Sequence, residues 1–226
     1  KGGKTKGTFN TADVTEEEIS NKMVGRVISF DYEKEMLEPD EDLLKVENLT
    51  YKDRFDVMKL DGVSFTVRNK EIVGIAGEEG NGQSELIEII TANLRARSGQ
   101  VLFKNEDITK ASIDHVRKLG MSYVPEDRLY NGCAAIMSVQ ENMIVSNIDS
   151  FAKKSKLIDF KKVKEHCKAL IKEYNVKTKD ENQPIKSLSG GNIQKAIVAR
   201  EFCAGSDLLV LDQPTRGVDV GAKSEI

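Results

Sequence analysis

The stretch GIAGEEGNGQSEL, residues 74–86, pairs glycines with small polar residues at the spacing of a phosphate-cradling loop, G-x-x-x-x-G-K-[ST]. Gly77, Gly82 and Ser84 fit that pattern, and Gln83 stands where it has lysine. Glycines let a backbone fold around an anion with successive N–H groups pointing inward. The helix that follows adds the positive end of its dipole. Ser84 is placed to offer its hydroxyl to a phosphate-bound Mg²⁺. What is missing is the point charge on the outer phosphates. Charge-assisted hydrogen bonds contribute ~1.5–3 kcal/mol against ~1 for neutral ones, so an amide here weakens nucleotide binding by roughly ten-fold or more. Glu78 and Glu79 add negative charge to the same loop. Taken alone, the stretch reads as a phosphate site or as a plain turn.

Two later segments decide between these. SLSGGNIQK, residues 187–195, opens a helix with serine and two glycines, a second N-terminal anion site. LLVLDQPTRGVD, residues 208–219, is a hydrophobic strand ending at Asp212, the usual way to hold Mg²⁺ beside a phosphate loop. The three segments, in this order, read as a nucleotide site.

The elements that must position them follow from periodicity. LLKVENL and GVSFTV alternate apolar and polar residues, as half-buried antiparallel strands do. EIVGIAG, residues 71–77, is a continuous apolar run and predicts a buried strand. GQSELIEIITANL predicts a helix with Leu86, Ile89 and Ile90 on one face. MSYVP and DLLVLD predict two more strands. Residues 138–175 read as helical: a capping box runs from Ser138 to Glu141, and Val163, Cys167, Leu170, Ile171 and Tyr174 recur at core spacing. Another capping box, Thr15 to Glu18, opens a short helix near the beginning. Together these predict an α/β fold with a parallel core.

Composition excludes some functions. Lys and Arg total 34 against 37 Asp and Glu, for a net charge of −3, which argues against a nucleic-acid-coating surface. No apolar run approaches the ~18–20 residues that span a bilayer. Cys133, Cys167 and Cys203 are far apart and read as reduced, partly buried cytosolic cysteines rather than a disulfide frame or zinc site. His115 and His166 lie on helix-like stretches and read as ordinary helix-face residues. The first residue is Lys and the last lies in what reads as an unfinished helix, so the expectation is a piece of a longer polypeptide.

LSGGN followed by QK resembles the signature motif of ABC-type ATPases. GEEGNGQS resembles their Walker A loop, LLVLD their Walker B strand and GVD their D-loop. The resemblance covers about residues 43–226. VPEDR, LSGGN and QPTRGVDVGA are more narrowly similar to the second ATPase half of tandem ATP-binding proteins serving simple-sugar and nucleoside importers. The fold so implied is an ABC-type P-loop ATPase domain: a parallel-sheet core, an antiparallel β subdomain and a helical subdomain at about residues 127–188. Residues 1–26 would end a preceding ATPase domain, 27–42 would link, and 43–226 would be the second domain, incomplete after the D-loop.

The resemblance implies roles for these residues. Gly77, Gly80, Asn81, Gly82, Gln83, Ser84 and Glu85 would surround the phosphates of ATP. Ser84 and Asp212 would hold Mg²⁺. Glu126 lies in the segment that replaces the family's Q-loop and touches Mg²⁺ or the attacking water; its neighbours would face the membrane subunit. Ser189, Gly190, Gly191 and Asn192, the last standing for a more usual glutamine, would reach a nucleotide held by a partner half. Asp219 would contact that half. Gln213 occupies the position of the glutamate that polarises the attacking water, and an amide cannot act as that base. Tyr51 or Phe55 would stack on adenine. Two departures thus fall on this half's own Walker site while its signature is intact. The expectation is a half with weak hydrolysis of its own that lends its signature to a competent site elsewhere. The implied partners are a first ATPase half in the same chain, membrane permease subunits and, indirectly, a solute-binding protein, with no nucleic acid. The implied location is the cytoplasmic face of the cell membrane. Alternatives are a non-hydrolysing regulatory half and a soluble ABC ATPase outside transport.

Overall fold

A computed structural model describes residues 5, 7–25, 37–223 and 226. The chain divides into two compact units, a helical unit and a sheet unit. The helical unit comprises Lys1–Lys34 (described over residues 5 and 7–25), Asp127–Arg200 and Gln213–Ile226; the sheet unit comprises Glu35–Glu126 and Glu201–Asp212. The linker expected at 27–42 lies largely outside the described residues.

In the sheet unit, β1 (Asp42–Lys52), β2 (Met58–Arg68), β3 (Ser98–Phe103) and β4 (Glu106–Asp107) form an antiparallel sheet in the order β2-β1-β3-β4. β1 is central: Val46 faces Phe65 on one side and Val101 on the other. Leu44 and Val46 are buried at the period of two that a one-sided sheet demands. The register then shifts at Asn48, whose φ of 48° is left-handed, and this brings Leu49 rather than Asn48 inward. Helix α2 (Gln83–Ile90) adds Leu86, Ile89 and Ile90 to the same core, as its periodicity predicts. After α3 (Ile113–Lys118), β5 (Met121–Val124) pairs in parallel with β6 (Leu208–Leu211), from Met121 opposite Leu208 to Val124 opposite Leu211. Parallel neighbours need a long crossover, and here the chain leaves the sheet unit after Glu126 and re-enters it at Glu201.

The strand expected at residues 71–77 is not formed. This segment is irregular, with Ile72 79%, Val73 40% and Ile75 49% exposed. A strand needs a ladder partner. Among the described residues, neither sheet includes any of this segment. A continuous apolar run carries no alternation that separates a paired buried strand from an unpaired stretch. β6 is also less buried than expected, since Leu211 is exposed.

The helical unit contains α1 (Glu16–Val24), α4 (Val139–Ile144), α5 (Phe160–Glu173), α6 (Gly190–Phe202, its last two residues in the sheet unit) and α7 (Val220–Lys223). Both predicted capping boxes are present, at Thr15–Glu18 and Ser138–Glu141. On α5, Val163, Cys167 and Leu170 are buried, while Ile171 and Tyr174 are half-buried at its edge. The Arg200 guanidinium donates to the carbonyls of Asn142 at 3.2 Å and Gly132 at 3.0 Å, fixing α6 to the loop before α4. Cys133 is half-buried and Cys167 buried, as expected; Cys203 is exposed, because it follows the helix end where the chain turns toward β6. His166 packs against Phe151 with tilted rings whose centroids are 5.0 Å apart, and His115 meets Glu106 at 2.5 Å on the surface. No described helix is long and apolar enough to cross a membrane.

Candidate functional site

Two clusters carry the residues singled out from the sequence, one in each unit. In the sheet unit the glycine-rich loop precedes α2. Gly80 and Gly82 have φ of +91° and +99°, a region that glycine enters without cost. Gly82 is the N-cap of α2, and no side chain caps that end. A Cβ on Gly82 would lie 2.3 Å from the carbonyl oxygen of Lys59 on β2, so glycine is required there for space as well as for backbone angle. The loop is open to solvent at Gly77, Gly80, Asn81 and Ser84. Left-handed glycines, an uncapped helix start and an open face fit a phosphate group. Gln83 turns back into this loop: a Cβ on Gly77 would fall 1.8 Å from Gln83 Nε2. The amide therefore lies along the loop as a neutral donor.

Asp212 directly follows β6, and its backbone N–H donates to the Val124 carbonyl at 2.9 Å, which carries the β5–β6 pairing one residue further. Its carboxyl is buried, and that burial raises its pKa above the ordinary 3.8, with Glu88 adding like-charge repulsion. Glu88 is itself raised by burial and by Glu85. Glu88 and Ser84 stand four apart on α2 and share a helix face. Glu88, one turn from Ser84 on α2, is thus near enough to Asp212 for the two carboxylates to repel. A buried carboxylate with a raised pKa and a carboxylate neighbour gains from a cation. Among the described residues no three His, Cys, Asp or Glu side chains gather as a metal site. Mg²⁺ on a nucleotide draws its other ligands from phosphate and water, which fits a site offering one hydroxyl and one carboxylate. Tyr123 on β5 faces the same acidic ground, and burial followed by Asp212 and Glu88 pushes its phenol far up. Glu126 follows β5 in this unit and is half-buried. Of the two candidate aromatics, Phe55 is 73% exposed at the β1–β2 turn, with Arg54 over its ring at 4.8 Å, whereas Tyr51 packs against the core.

The second cluster lies in the helical unit. The signature turn opens α6: Ser189 is exposed, and its carbonyl accepts from the N–H groups of Asn192 and Ile193. Asn192 Nδ2 donates to Ser189 Oγ at 2.8 Å, and its Oδ1 accepts from the Lys177 N–H at 2.7 Å. Asn192 thus orients the serine and ties the turn to the chain leaving α5. Gly191 packs tightly against the D-loop helix, since a Cβ there would lie 2.8 Å from Ala222 Cβ and 3.5 Å from Asp219 Oδ2. Asp219 accepts from the Ala222 N–H at 3.0 Å as the cap of α7. Gln213 is exposed, with a left-handed φ of 44° that an unbranched non-glycine residue rarely adopts.

Two residues were not singled out from the sequence. Arg128 closes the signature turn onto the D-loop: its Nη1 donates to the Arg216 carbonyl at 2.9 Å and its Nη2 to the Gly217 carbonyl at 3.3 Å. A Cβ on Gly190 would lie 2.6 Å from Arg128 Nη2, so the guanidinium lies against that glycine. Arg128 belongs to the quoted VPEDR segment, the one signal that pointed to it. The other is Lys59, whose Nζ donates to the Gly80 carbonyl at 3.3 Å; nothing in its sequence neighbourhood marks it.

The family described as ABC transporter matches residues 60–216. The chain is 39% identical over 221 residues to "Nucleoside import ATP-binding protein NupA" of Lactococcus lactis subsp. cremoris, covering 97% of this chain and 44% of that protein. It is 37% identical over 224 residues to "Ribose import ATP-binding protein RbsA" of Clostridium perfringens, covering 99% and 44%. The chain therefore spans under half the length of these relatives. Among solved structures, the ADP conformation of MJ1267, an ATP-binding cassette of an ABC transporter, matches with a TM-score of 0.64 at 25% identity, over 82% of this chain and 74% of that one. The dimeric cassette MJ0796 bound to ADP and Pi has the same fold, with a TM-score of 0.70 at 21% identity, over 81% and 79%.

Proposed function

The chain belongs to the ABC transporter ATP-binding family, and we propose that it is the second ATPase half of a tandem subunit driving uptake of a simple sugar or nucleoside. The relatives named above are import ATP-binding proteins for nucleosides and ribose, which supports that cargo class. In this reading residues 1–26 end the first half, 27–42 link, and 43–226 form the second.

The observation that carries the reading is the contrast between the two clusters. The signature turn of Ser189, Gly190, Gly191 and Asn192 is complete and braced by Arg128 and Asp219. The phosphate loop has the backbone of a nucleotide site but an amide at Gln83, and Gln213 follows Asp212. Gly77, Gly80, Asn81, Gly82, Ser84 and Glu85 hold the phosphates of ATP. Ser84 and Asp212 hold Mg²⁺, which neutralises phosphate charge when bound. Phe55, the open aromatic, covers adenine. Glu126 orients water or metal at the edge of the site. Gln213 orients water without taking its proton, so hydrolysis at this loop is slow. Ser189 and its neighbours complete the nucleotide site of the first half, where turnover takes place. Permease subunits and a capture protein set the solute.

The test is turnover by the full-length pair. Ser189→Arg is expected to abolish ATP hydrolysis, and Gln83→Ala to change it little. If Gln83→Ala were the more damaging, the division of labour would be overturned.

A further inference from the structure

The loop lacks its own cation, yet a lysine from another element reaches it. Lys59 stands on β2, well before the loop in the chain. Its Nζ donates to the Gly80 carbonyl at 3.3 Å. Its backbone abuts the same turn, since only the lack of a Cβ lets Gly82 sit against the Lys59 carbonyl oxygen. Lys59 therefore touches the turn at both ends, by main chain at Gly82 and by ammonium at Gly80. Gln83 brings a neutral donor to Gly77 on the remaining part of the loop. Glu78 and Glu79 within the loop make an added cation more favourable.

We propose that Lys59 supplies the positive charge that position 83 has lost, binding the outer phosphates of ATP from strand β2. This rests on the loop's being an ATP site, as argued above. An ammonium on a flexible four-carbon stem is a mobile point charge with three donors. It rests on a neutral carbonyl here, and a phosphate oxygen is the stronger acceptor. Its backbone position is fixed by the sheet and by the Gly82 contact, so only the stem must turn. The substitution at position 83 then marks a relocated charge. The chain retains phosphate affinity while the donor approaches from a strand instead of the helix start.

The test measures dissociation constants of the full chain for ATP and for adenosine by titration calorimetry, with ligand-observed NMR for the weaker ligand. Lys59→Met is expected to weaken ATP binding about ten-fold or more, the difference between a charged and a neutral bond, with adenosine affected less than about two-fold. Lys59→Arg should keep most of the affinity, and Gln83→Lys added to Lys59→Met should recover it. Lys59→Gln serves if methionine disturbs β2. Lys59→Met binding ATP like the parent, or losing ATP and adenosine equally, would overturn the proposal and leave the ATP site standing. A parent chain that binds no ATP would overturn both.

Discussion

Arg128 donates from Nη1 to the backbone carbonyl of Arg216 at 2.9 Å, and so fastens the segment after β5 to the turn that leads into the D-loop. Its Nη2 reaches the next carbonyl at Gly217 while lying against Gly190 of the signature turn. One planar fork holds two carbonyls and a glycine, a geometry that lysine cannot copy.

Replacement of Arg128 should therefore loosen the signature turn. Arg128→Lys keeps the charge but loses one of the two bonds and the flat contact with Gly190. Both Arg128→Lys and Arg128→Ala are expected to lower turnover of the full-length pair, and Arg128→Ala to destabilise the fold by about 3 kcal/mol or more, since two bonds are lost and bonds from a charged donor contribute ~1.5–3 each. Steady-state hydrolysis and urea unfolding check this. Full activity in Arg128→Lys would show that the fork is not needed.

Gly82→Ala is expected to damage both fold and binding. The φ of +99° disfavours any Cβ, and the Cβ would lie 2.3 Å from a backbone oxygen that cannot move alone. Overpacking costs ~1–3 kcal/mol, to which a strained backbone adds ~1–3. Urea unfolding together with ATP titration reads both losses. Gly80→Ala, with a similar φ but nothing within 4 Å of the Cβ, should cost only the strain.

Asp212 gives a pH-dependent prediction with a definite sign. Burial, and then Glu88, raise its pKa above 3.8. The folded state then holds the proton more tightly than the unfolded one, and stability falls as pH rises from 3.8 through the folded pKa. Above that, the ionised carboxylate is a net cost to the metal-free fold. Asp212→Asn should thus raise the melting temperature at pH 7 without Mg²⁺, by roughly 2–4 °C for each kcal/mol relieved. The gain should shrink as pH is lowered toward 3.8, and the variant should lose the effect of Mg²⁺ on ATP binding. Calorimetric melts at several pH values test it, and an unchanged or lower melting temperature at pH 7 would count against it.

Local signals were legible in the sequence where one short-range interaction determines them. Both capping boxes formed at the predicted residues, since each needs only a side chain and an N–H three residues away. The α2 face of Leu86, Ile89 and Ile90 and the β5 and β6 strands were legible from hydrophobic pattern. The segment 71–77 was not, because an apolar run states burial preference and says nothing about which strand will pair with it. In the candidate site, the residues inside motifs could be singled out by spacing. Arg128 and Lys59 were not, since both act through backbone carbonyls distant in sequence, and a carbonyl has no residue-type signature.

On the proposed reading, this chain's own loop binds ATP while hydrolysing it poorly because an amide follows Asp212. The most direct measurement is phosphate release by the full chain saturated with ATP and Mg²⁺, with the parent and Gln213→Glu side by side. Pairing of two copies does not confuse the result, since each site would still combine a whole signature with Gln213. The prediction is saturable binding with little release from the parent, and release about 100-fold faster in Gln213→Glu, the lower range of general-base contributions. A parent chain that releases phosphate as fast as Gln213→Glu would show that the amide at position 213 does not limit hydrolysis.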